Sequence, residues 1–251
     1  DQLNLEAKDS VYASDNMLCF KNEDFPNGLC VLCPMYWKSR RLERNPAIAQ
    51  WIKEKCGYET ILDLTYFEEE DKALEGLGAT VIDWKGRCIY ACSSNRANED
   101  VVAELAKQMT LHSKKDYEYY MVDGRDPRSN DIIFHTVGFL SINTKLAIIM
   151  SECVVDLSKR KELLERLKGN YEVMEVSYDE YYNCVTCPVE FNNGINGKSG
   201  LVVSTLFDGN VSESNRKRFE ELFCPILVLN LETHELVGGA AIQCCIQIVP
   251  L

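Results

Sequence analysis

The sequence predicts an α/β fold in which one unit, strand–strand–helix–strand, occurs four times. Helix start signals place four helices that begin at residues 46, 99, 159 and 213, so the starts are 53, 60 and 54 residues apart. Two strand-like apolar runs precede each of these helices, and one such run follows it. Repeats of this length, each burying one face against its neighbours, are typical of rings and solenoids. The alternative is an ordinary α+β sandwich in which the spacing is coincidental.

Each predicted helix starts after a residue that caps helices well. Asn45 precedes Pro46 at the first helical position, and Gly57 follows the last turn of that helix. The caps of the other three helices are Asn98, Ser158 and Ser212. The second helix has apolar residues at positions i, i+3, i+4 and i+7, which indicates one buried face: Val102, Leu105, Ala106 and Met109.

The predicted strands come as a pair before each helix and a single strand after it. The pairs are Val11–Phe20 with Leu29–Met35, Thr80–Trp84 with Cys88–Cys92, Ile132–Ile142 with Leu146–Met150, and Cys187–Phe191 with Leu201–Leu206. The single strands are Thr60–Leu64, Tyr117–Val122, Glu172–Val176 and Ile226–Leu229. A last run, Ala241–Val249, has the pattern that opens a fifth unit. Either the predicted ring is incomplete, or residues that complete it precede this sequence; we favour the second.

The composition indicates an ordinary globular protein, which we expect to form a single domain over residues 1–251. Hydrophobic residues make up 46% of the chain, enough for a substantial core. The formal net charge of −12 repels a phosphate backbone, so we expect no nucleic-acid partner. The same charge suits a small cationic substrate. The sequence leaves the oligomeric state open.

Cysteine usage and hydropathy together favour a cytoplasmic protein. No apolar run approaches the roughly 18–20 residues that span a bilayer, so we expect no membrane partner. The stretch Asp1–Glu6 lacks the basic and apolar regions of a signal peptide. The twelve cysteines lie mostly in apolar, strand-like runs, as reduced core residues do.

One cysteine is a candidate nucleophile. Gly238 and Gly239 lead into a strand-like run that begins with Cys244 and Cys245. A thiolate at such a turn can face a pocket while the strand holds its backbone. Because adjacent strand residues point to opposite faces, only one of these two thiols can face a site. The alternative is a buried pair of core cysteines.

A histidine and a glutamate are candidates for proton transfer. His135 lies inside the apolar run Ile132–Thr136, where a buried imidazole needs a partner. Glu75 follows Leu74 and precedes a pair of glycines. The alternatives are a satisfied core histidine and a glutamate in a surface loop.

Two Cys-x-x-Cys-Pro segments raise the possibility of a zinc site. They begin at Cys30 and Cys184 and could supply four thiolates. However, Cys30 and Cys33 lie in a predicted strand, in which residues i and i+3 face opposite sides. We therefore expect no metal.

Several motifs resemble those of one superfamily in order and spacing. The elements Leu74-Glu75-Gly76-x-Gly78, Phe134-His135-Thr136 and Gly238-Gly239 through Cys244 resemble motifs of the amidinotransferase/dimethylargininase superfamily. Two further segments, Pro34-Met35 with Arg40–Arg44 and Ile89–Arg96, resemble bacterial citrulline-utilisation hydrolase-like members most closely. The segment Asp9–Asp15 resembles the substrate-binding acidic strand of the family. The resemblance implies the pentein fold, an α/β propeller of ββαβ modules around a central site.

The resemblance also implies roles for particular residues. Cys244 would be the nucleophile, His135 the general acid and base, and Glu75 the residue that orients and charge-stabilises the histidine. For substrate binding, Asp15 would hold a guanidinium group, Arg96 would hold an α-carboxylate, and Arg41 is a further candidate. No cofactor is implied.

The resemblance therefore predicts a hydrolase that cleaves the C–N bond of a guanidino or ureido compound, an arginine derivative, through a covalent thiouronium intermediate. Four residues at three sites depart from the family pattern: Ala79, Gln243 and the pair Val137-Gly138. They leave the catalytic trio intact but leave two alternatives open. One is a catalytically inactive pentein that serves as a binding or scaffold protein, and the other is an amidinotransferase.

Overall fold

The computed structural model describes residues 9–192 and 195–231. The chain divides into two compact units, one ending at Met121 and the other running from Val122. The described residues form four three-stranded sheets, and each sheet uses three strands that follow one another along the chain. The four strand–strand–helix–strand units predicted from the sequence are thereby confirmed.

The first unit contains the first two repeats. Its elements are strands β1 (Met17–Phe20) and β2 (Leu29–Leu32), helices α1 (Lys38–Arg41) and α2 (Pro46–Cys56), strand β3 (Thr60–Asp63), helix α3 (Gly76–Ala79), strands β4 (Thr80–Asp83) and β5 (Cys88–Cys92), helix α4 (Glu99–Ser113) and strand β6 (Glu118–Val122). Strand β2 is the middle strand of its sheet, antiparallel to β1 and parallel to β3. Strand β5 lies between β4, to which it is antiparallel, and β6.

The second unit contains the third and fourth repeats. Its elements are strands β7 (Leu140–Ile142) and β8 (Leu146–Ile149), helix α5 (Leu157–Asn170), strand β9 (Glu172–Glu175), helix α6 (Tyr178–Tyr182), strands β10 (Val189–Phe191) and β11 (Gly200–Ser204), helices α7 (Thr205–Asn210) and α8 (Glu213–Leu222), and strand β12 (Ile226–Leu229). The middle strands β8 and β11 each pair antiparallel with the strand before them and parallel with the strand after the helix.

Helix caps account for where the long helices begin. The side chain of Asn45 accepts a hydrogen bond from the Ala47 N–H, and Asn98 accepts one from the Asp100 N–H, as predicted. Helix α5 begins two residues earlier than predicted. Its cap is Asp156 rather than Ser158, because the Asp156 carboxylate accepts from the backbone N–H groups of Ser158 and Lys159.

Two predicted strands are wrong over most of their length. The run Val11–Phe20 forms a strand only over Met17–Phe20, because a 3₁₀ turn, Ala13–Asp15, comes before it. The run Ile132–Ile142 forms a strand only over Leu140–Ile142. Ile132 and Phe134 are each 43% exposed, so this apolar run is not a core strand. The segment that contains Ile132 instead pairs back on Arg125 and Gly124 as part of a loop.

The middle strands and the helices that cover them form the cores. All residues of β5 and β8 are buried, as expected for strands covered on both faces. The predicted apolar face of α4 packs into the main cluster of the first unit. Cys33 belongs to that cluster, whereas Cys30 belongs to a second one with Cys56 and Tyr58, as the strand period predicts.

The ten cysteines in the described residues are free thiols, and eight of them are buried. This confirms the prediction that most cysteines are reduced core residues. Among the described helices, none has both the length and the apolar composition needed to cross a bilayer.

Candidate active site

Asp15 lies in a single 3₁₀ turn, Ala13–Asp15, directly before strand β1. Its side chain is only 1% exposed. One carboxylate oxygen, Oδ2, accepts a hydrogen bond from Arg40 Nη1 at 2.9 Å. The acidic residue that the sequence predicted to bind a guanidinium group is thus already bound to one, from the protein itself.

Glu75 is the cap residue of the one-turn helix α3 and is fully buried. Its carboxylate Oε2 accepts from Arg40 Nη1 at 3.4 Å and from Arg96 Nη1 at 3.3 Å. Its backbone N–H donates to the Arg96 carbonyl at 2.9 Å. Glu75 is therefore no surface-loop glutamate, and it contacts the predicted substrate-binding residue Arg96.

Gly76 allows the segments that carry Asp15 and Glu75 to approach each other. It has φ +36°, and a Cβ placed on it would lie 2.3 Å from the Ser14 carbonyl oxygen and 2.8 Å from the Asp15 carbonyl oxygen. Such separations are too short for a side chain, so only glycine fits at this position. The Glu-Gly pair of the sequence motif thus has a direct packing explanation.

Arg40, which we did not predict, lies at the centre of this cluster. Its guanidinium donates to Asp15, Glu43 and Glu75 and to the Tyr12 carbonyl oxygen. Burial alone would lower its pKa, but the adjacent carboxylates of Asp15, Glu43 and Glu75 more than compensate and raise the pKa above its ordinary value. Arg40 is therefore a permanent buried cation.

Arg41, the neighbour that we predicted to bind substrate, has different contacts. Its guanidinium donates to the carbonyl oxygens of Met35 and Tyr36 and lies 3.4 Å from Glu68 Oε2. Arg41 also lines an open cavity of about 580 Å³, with Asp63, Thr65, Tyr66, Glu68 and Glu69. The short helix α1 explains why the two adjacent arginines differ. Successive helical residues point in directions about 100° apart, so only one can face Asp15.

The Arg40 cluster joins several buried charged groups. Asp15, Glu43 and Glu75 contribute carboxylates, and Arg40 and Arg96 contribute guanidinium groups that bind them. The side chains of Asp15, Glu43 and Glu75 are at most 2% exposed, so solvent screens the interactions among these groups poorly.

His135 lies in the second unit, at the start of the 3₁₀ turn Thr136–Gly138. It is half-buried and has extended backbone dihedrals, and its carbonyl oxygen accepts from the Gly138 N–H at 3.1 Å. A residue outside the turn stabilises it: the Thr186 hydroxyl donates a hydrogen bond to the Gly138 carbonyl oxygen at 2.6 Å. The histidine therefore stands in a fixed loop and not, as predicted, inside a core strand.

The predicted nucleophile Cys244, with the whole segment Gly238–Ile246, lies outside the described residues. Its role stays a prediction. In the first unit the structure brings together three of the predicted residues: the guanidinium of Arg40 joins Asp15 to Glu75, and Arg96 donates directly to Glu75.

Comparisons with known proteins agree on family and fold. A family model described as eukaryotic N,N dimethylarginine dimethylhydrolase matches residues 1–250. No curated protein matches the chain.

Among solved structures, the N-terminal domain of ArgZ, a cyanobacterial arginine dihydrolase, has a TM-score of 0.67 at 19% identity, over 93% of this chain and 73% of that one. A dimethylarginine dimethylaminohydrolase in an adduct with 4-chloro-2-hydroxymethylpyridine has a TM-score of 0.63 at 13% identity, over 96% of this chain and 78% of that one. AgrE in complex with ornithine and NAD⁺ has a TM-score of 0.67 at 19% identity, over 94% of this chain but only 30% of that one.

These matches confirm the superfamily and the pentein fold class predicted from the sequence motifs. The family model that matches is a eukaryotic one, whereas two of the motifs resemble bacterial citrulline-utilisation hydrolase-like members most closely. The chain belongs to the eukaryotic N,N-dimethylarginine dimethylhydrolase family.

Proposed function

We propose that this protein is a hydrolase with a cysteine nucleophile that cleaves a C–N bond in the guanidinium group of an arginine derivative, a dimethylated arginine in the first place. The observation that carries the proposal is the buried pair Asp15 and Glu75, whose carboxylates both accept from one guanidinium nitrogen of Arg40. The family name and the names of the similar structures support the same substrate class.

The carboxylates of the cluster suit a cationic substrate better than a neutral one, because a guanidinium group forms charge-assisted hydrogen bonds with carboxylates and a ureido group does not. The matching family model, that of dimethylarginine hydrolases, supports the same substrate class. We therefore infer that the substrate enters as a guanidinium cation and leaves as a ureido product.

The proposed reaction has two stages. In the first, the Cys244 thiolate attacks the guanidinium carbon, and the C–N bond to the leaving amine breaks as His135 donates a proton to that nitrogen. In the second, a water molecule attacks the covalent thiouronium while His135 accepts a proton from the water. The C–S bond then breaks, which releases the ureido product and restores the thiolate.

The other residues bind and orient. Glu75 stabilises the charged form of His135, and Asp15 fixes the guanidinium so that its carbon meets the sulfur. Arg96 and Arg41 are proposed to hold the substrate α-carboxylate, for which the planar fork of arginine suits bidentate binding.

The test is product analysis by mass spectrometry with dimethylarginine, monomethylarginine, arginine, agmatine and citrulline. Conversion of dimethylarginine to citrulline and dimethylamine is expected for the wild type. The Cys244→Ser protein should be inactive, and the matched control Cys245→Ser should stay active. Intact-protein mass spectrometry of the wild type during turnover should show the thiouronium adduct.

Two outcomes would contradict the proposal that the protein is a hydrolase. A compound that binds the wild type but is never converted would indicate a binding protein. Amidino transfer that needs an added amine would indicate an amidinotransferase.

A further inference from the structure

A pair of thiols faces across the β1–β2 hairpin. Cys19 and Cys30 are direct register partners of this antiparallel pair, and their Sγ atoms lie 4.0 Å apart. Directly opposite residues in antiparallel strands have Cα atoms about 4.5–5.5 Å apart. Disulfides span Cα separations of about 4.4–6.8 Å. The backbone therefore already meets the requirement for a disulfide, and rotation of two short side chains can bring the sulfurs together.

The two thiols differ in access to solvent. Cys30 is fully buried, whereas Cys19 is half-buried. A small oxidant can therefore reach Cys19 first, and Cys30 stands next to it as the thiol that completes the reaction. Cysteines that undergo reversible oxidation often lie next to a resolving cysteine in this way.

The surroundings of the pair include a polar group without a partner. Tyr58 is 1% exposed, and its hydroxyl has no hydrogen-bond partner among the described residues. It belongs to the same apolar cluster as Cys30, which Cys19 packs against. Burial raises the pKa of Tyr58, and the thiols of Cys19, Cys30 and Cys56 raise it further, so the phenol stays protonated.

We propose that Cys19 and Cys30 form a reversible dithiol–disulfide pair that responds to peroxides. In the first step the Cys19 sulfur attacks one peroxide oxygen, the O–O bond breaks, and a sulfenic acid and one water form. In the second step the Cys30 sulfur attacks the Cys19 sulfur, the S–O bond breaks, and a second water leaves. Two thiols and one hydrogen peroxide thus give one disulfide and two waters, and a thiol reductant reverses the reaction.

The environment of Cys19 makes this oxidation slow at neutral pH. The hydrogen bond with Cys30 and then burial raise the pKa of the Cys19 thiol well above its usual range. Because the thiolate is the reactive form, the rate should increase as the pH increases. The product would link β1 to β2 at Cys19, four residues after Asp15.

The test is peptide mapping of the full-length wild type after treatment with hydrogen peroxide and alkylation of the remaining thiols. Trypsin separates the two cysteines, because cleavage after Lys21 leaves Cys19 in residues 9–21 and Cys30 in residues 22–38. We expect a cross-linked pair of these peptides that disappears on reduction. Fragmentation should assign the bond to Cys30 and not to Cys33, which shares its peptide.

Variants distinguish this pair from other thiols. Cys19→Ser and Cys30→Ala should each abolish the cross-link, and the matched control Cys56→Ser, in the same cluster, should retain it. A cross-link from Cys19 to Cys56, or uptake of oxygen at Cys19 without a cross-link, would overturn the proposal. The proposal would also be overturned if the wild type formed no cross-linked peptide even at pH 9. This last result is obtained with the wild type alone, so it does not depend on whether the variants fold.

Discussion

Arg40 Nη1 donates to Asp15 Oδ2 at 2.9 Å, and both side chains are almost fully buried. The same nitrogen lies 3.4 Å from Glu75 Oε2. One guanidinium group thereby joins a carboxylate proposed to bind substrate to a carboxylate proposed to act in catalysis. The integrity of the site should depend on this single side chain.

Replacing Arg40 should therefore be costly. Removing one partner of a buried ion pair typically lowers the free energy of unfolding by about 3–5 kcal/mol, because the other charges stay buried. We expect Arg40→Met to fall in this range and to abolish conversion of a guanidino substrate. Denaturant unfolding and steady-state kinetics measure the two effects.

Arg40→Lys keeps the charge but loses the planar fork, so it should cost less stability than Arg40→Met. The control is Arg87→Met, whose ion pair with Asp24 is more exposed and should be worth at most about 1 kcal/mol. If Arg40→Met and Arg87→Met lower the free energy of unfolding by the same amount, the buried cation does not organise the site.

Glu75→Gln tests the charge of the second carboxylate at constant shape. If Glu75 stabilises protonated His135 during the reaction, kcat should fall by about 10²-fold or more. The control is Glu68→Gln, which removes a carboxylate paired with Arg41 and Arg44. Its effect should be on KM rather than on kcat, if Arg41 binds the substrate carboxylate. A Glu75→Gln protein with unchanged kcat would remove Glu75 from the catalytic residues.

Gly76→Ala tests the close approach of the Asp15 and Glu75 segments. The new Cβ would collide with backbone oxygens of Ser14 and Asp15, which cannot rotate away as a side chain can. We expect a loss of at least about 1–3 kcal/mol of unfolding free energy, together with a loss of activity. The matched control is Gly169→Ala, because Gly169 lies in helix α5 with open space around it. Thermal unfolding should show this control unchanged or more stable by about 0.5–1 kcal/mol.

The repeated unit could be predicted because its signals are local. Caps such as Asn45 and Asn98 and the period of the apolar residues specify helices from a few neighbouring positions. The exposed positions Ile132 and Phe134 could not be predicted in this way, since an apolar run alone does not show which residues a loop leaves in solvent. Which of the two arginines, Arg40 or Arg41, enters the buried cluster also depends on tertiary structure. Arg40 enters it because it contacts Asp15 and Glu75, which lie 25 and 35 residues away along the chain.

The stability of the second unit should depend on pH through Glu180, a residue that sequence reasoning did not select. Its carboxylate accepts hydrogen bonds from Ser177 and, across the chain, from the Ser212 N–H and the Asn215 amide. Burial opposes the charged form, but these hydrogen bonds outweigh burial and lower the pKa of Glu180 below its usual value. Because the folded-state pKa is depressed, the contribution to stability is fully present above the unfolded-state pKa, about 4.3, and is lost as the pH falls through the folded-state value.

Glu180→Gln should therefore lower the free energy of unfolding by about 1–3 kcal/mol at pH 7, and the difference from wild type should shrink below about pH 4. The exposed control Glu165→Gln should differ from wild type by less than about 0.5 kcal/mol at every pH. A Glu180→Gln deficit that stays constant from pH 7 to pH 3 would mean that the shape of the side chain, and not its charge, holds helix α6 to the start of helix α8.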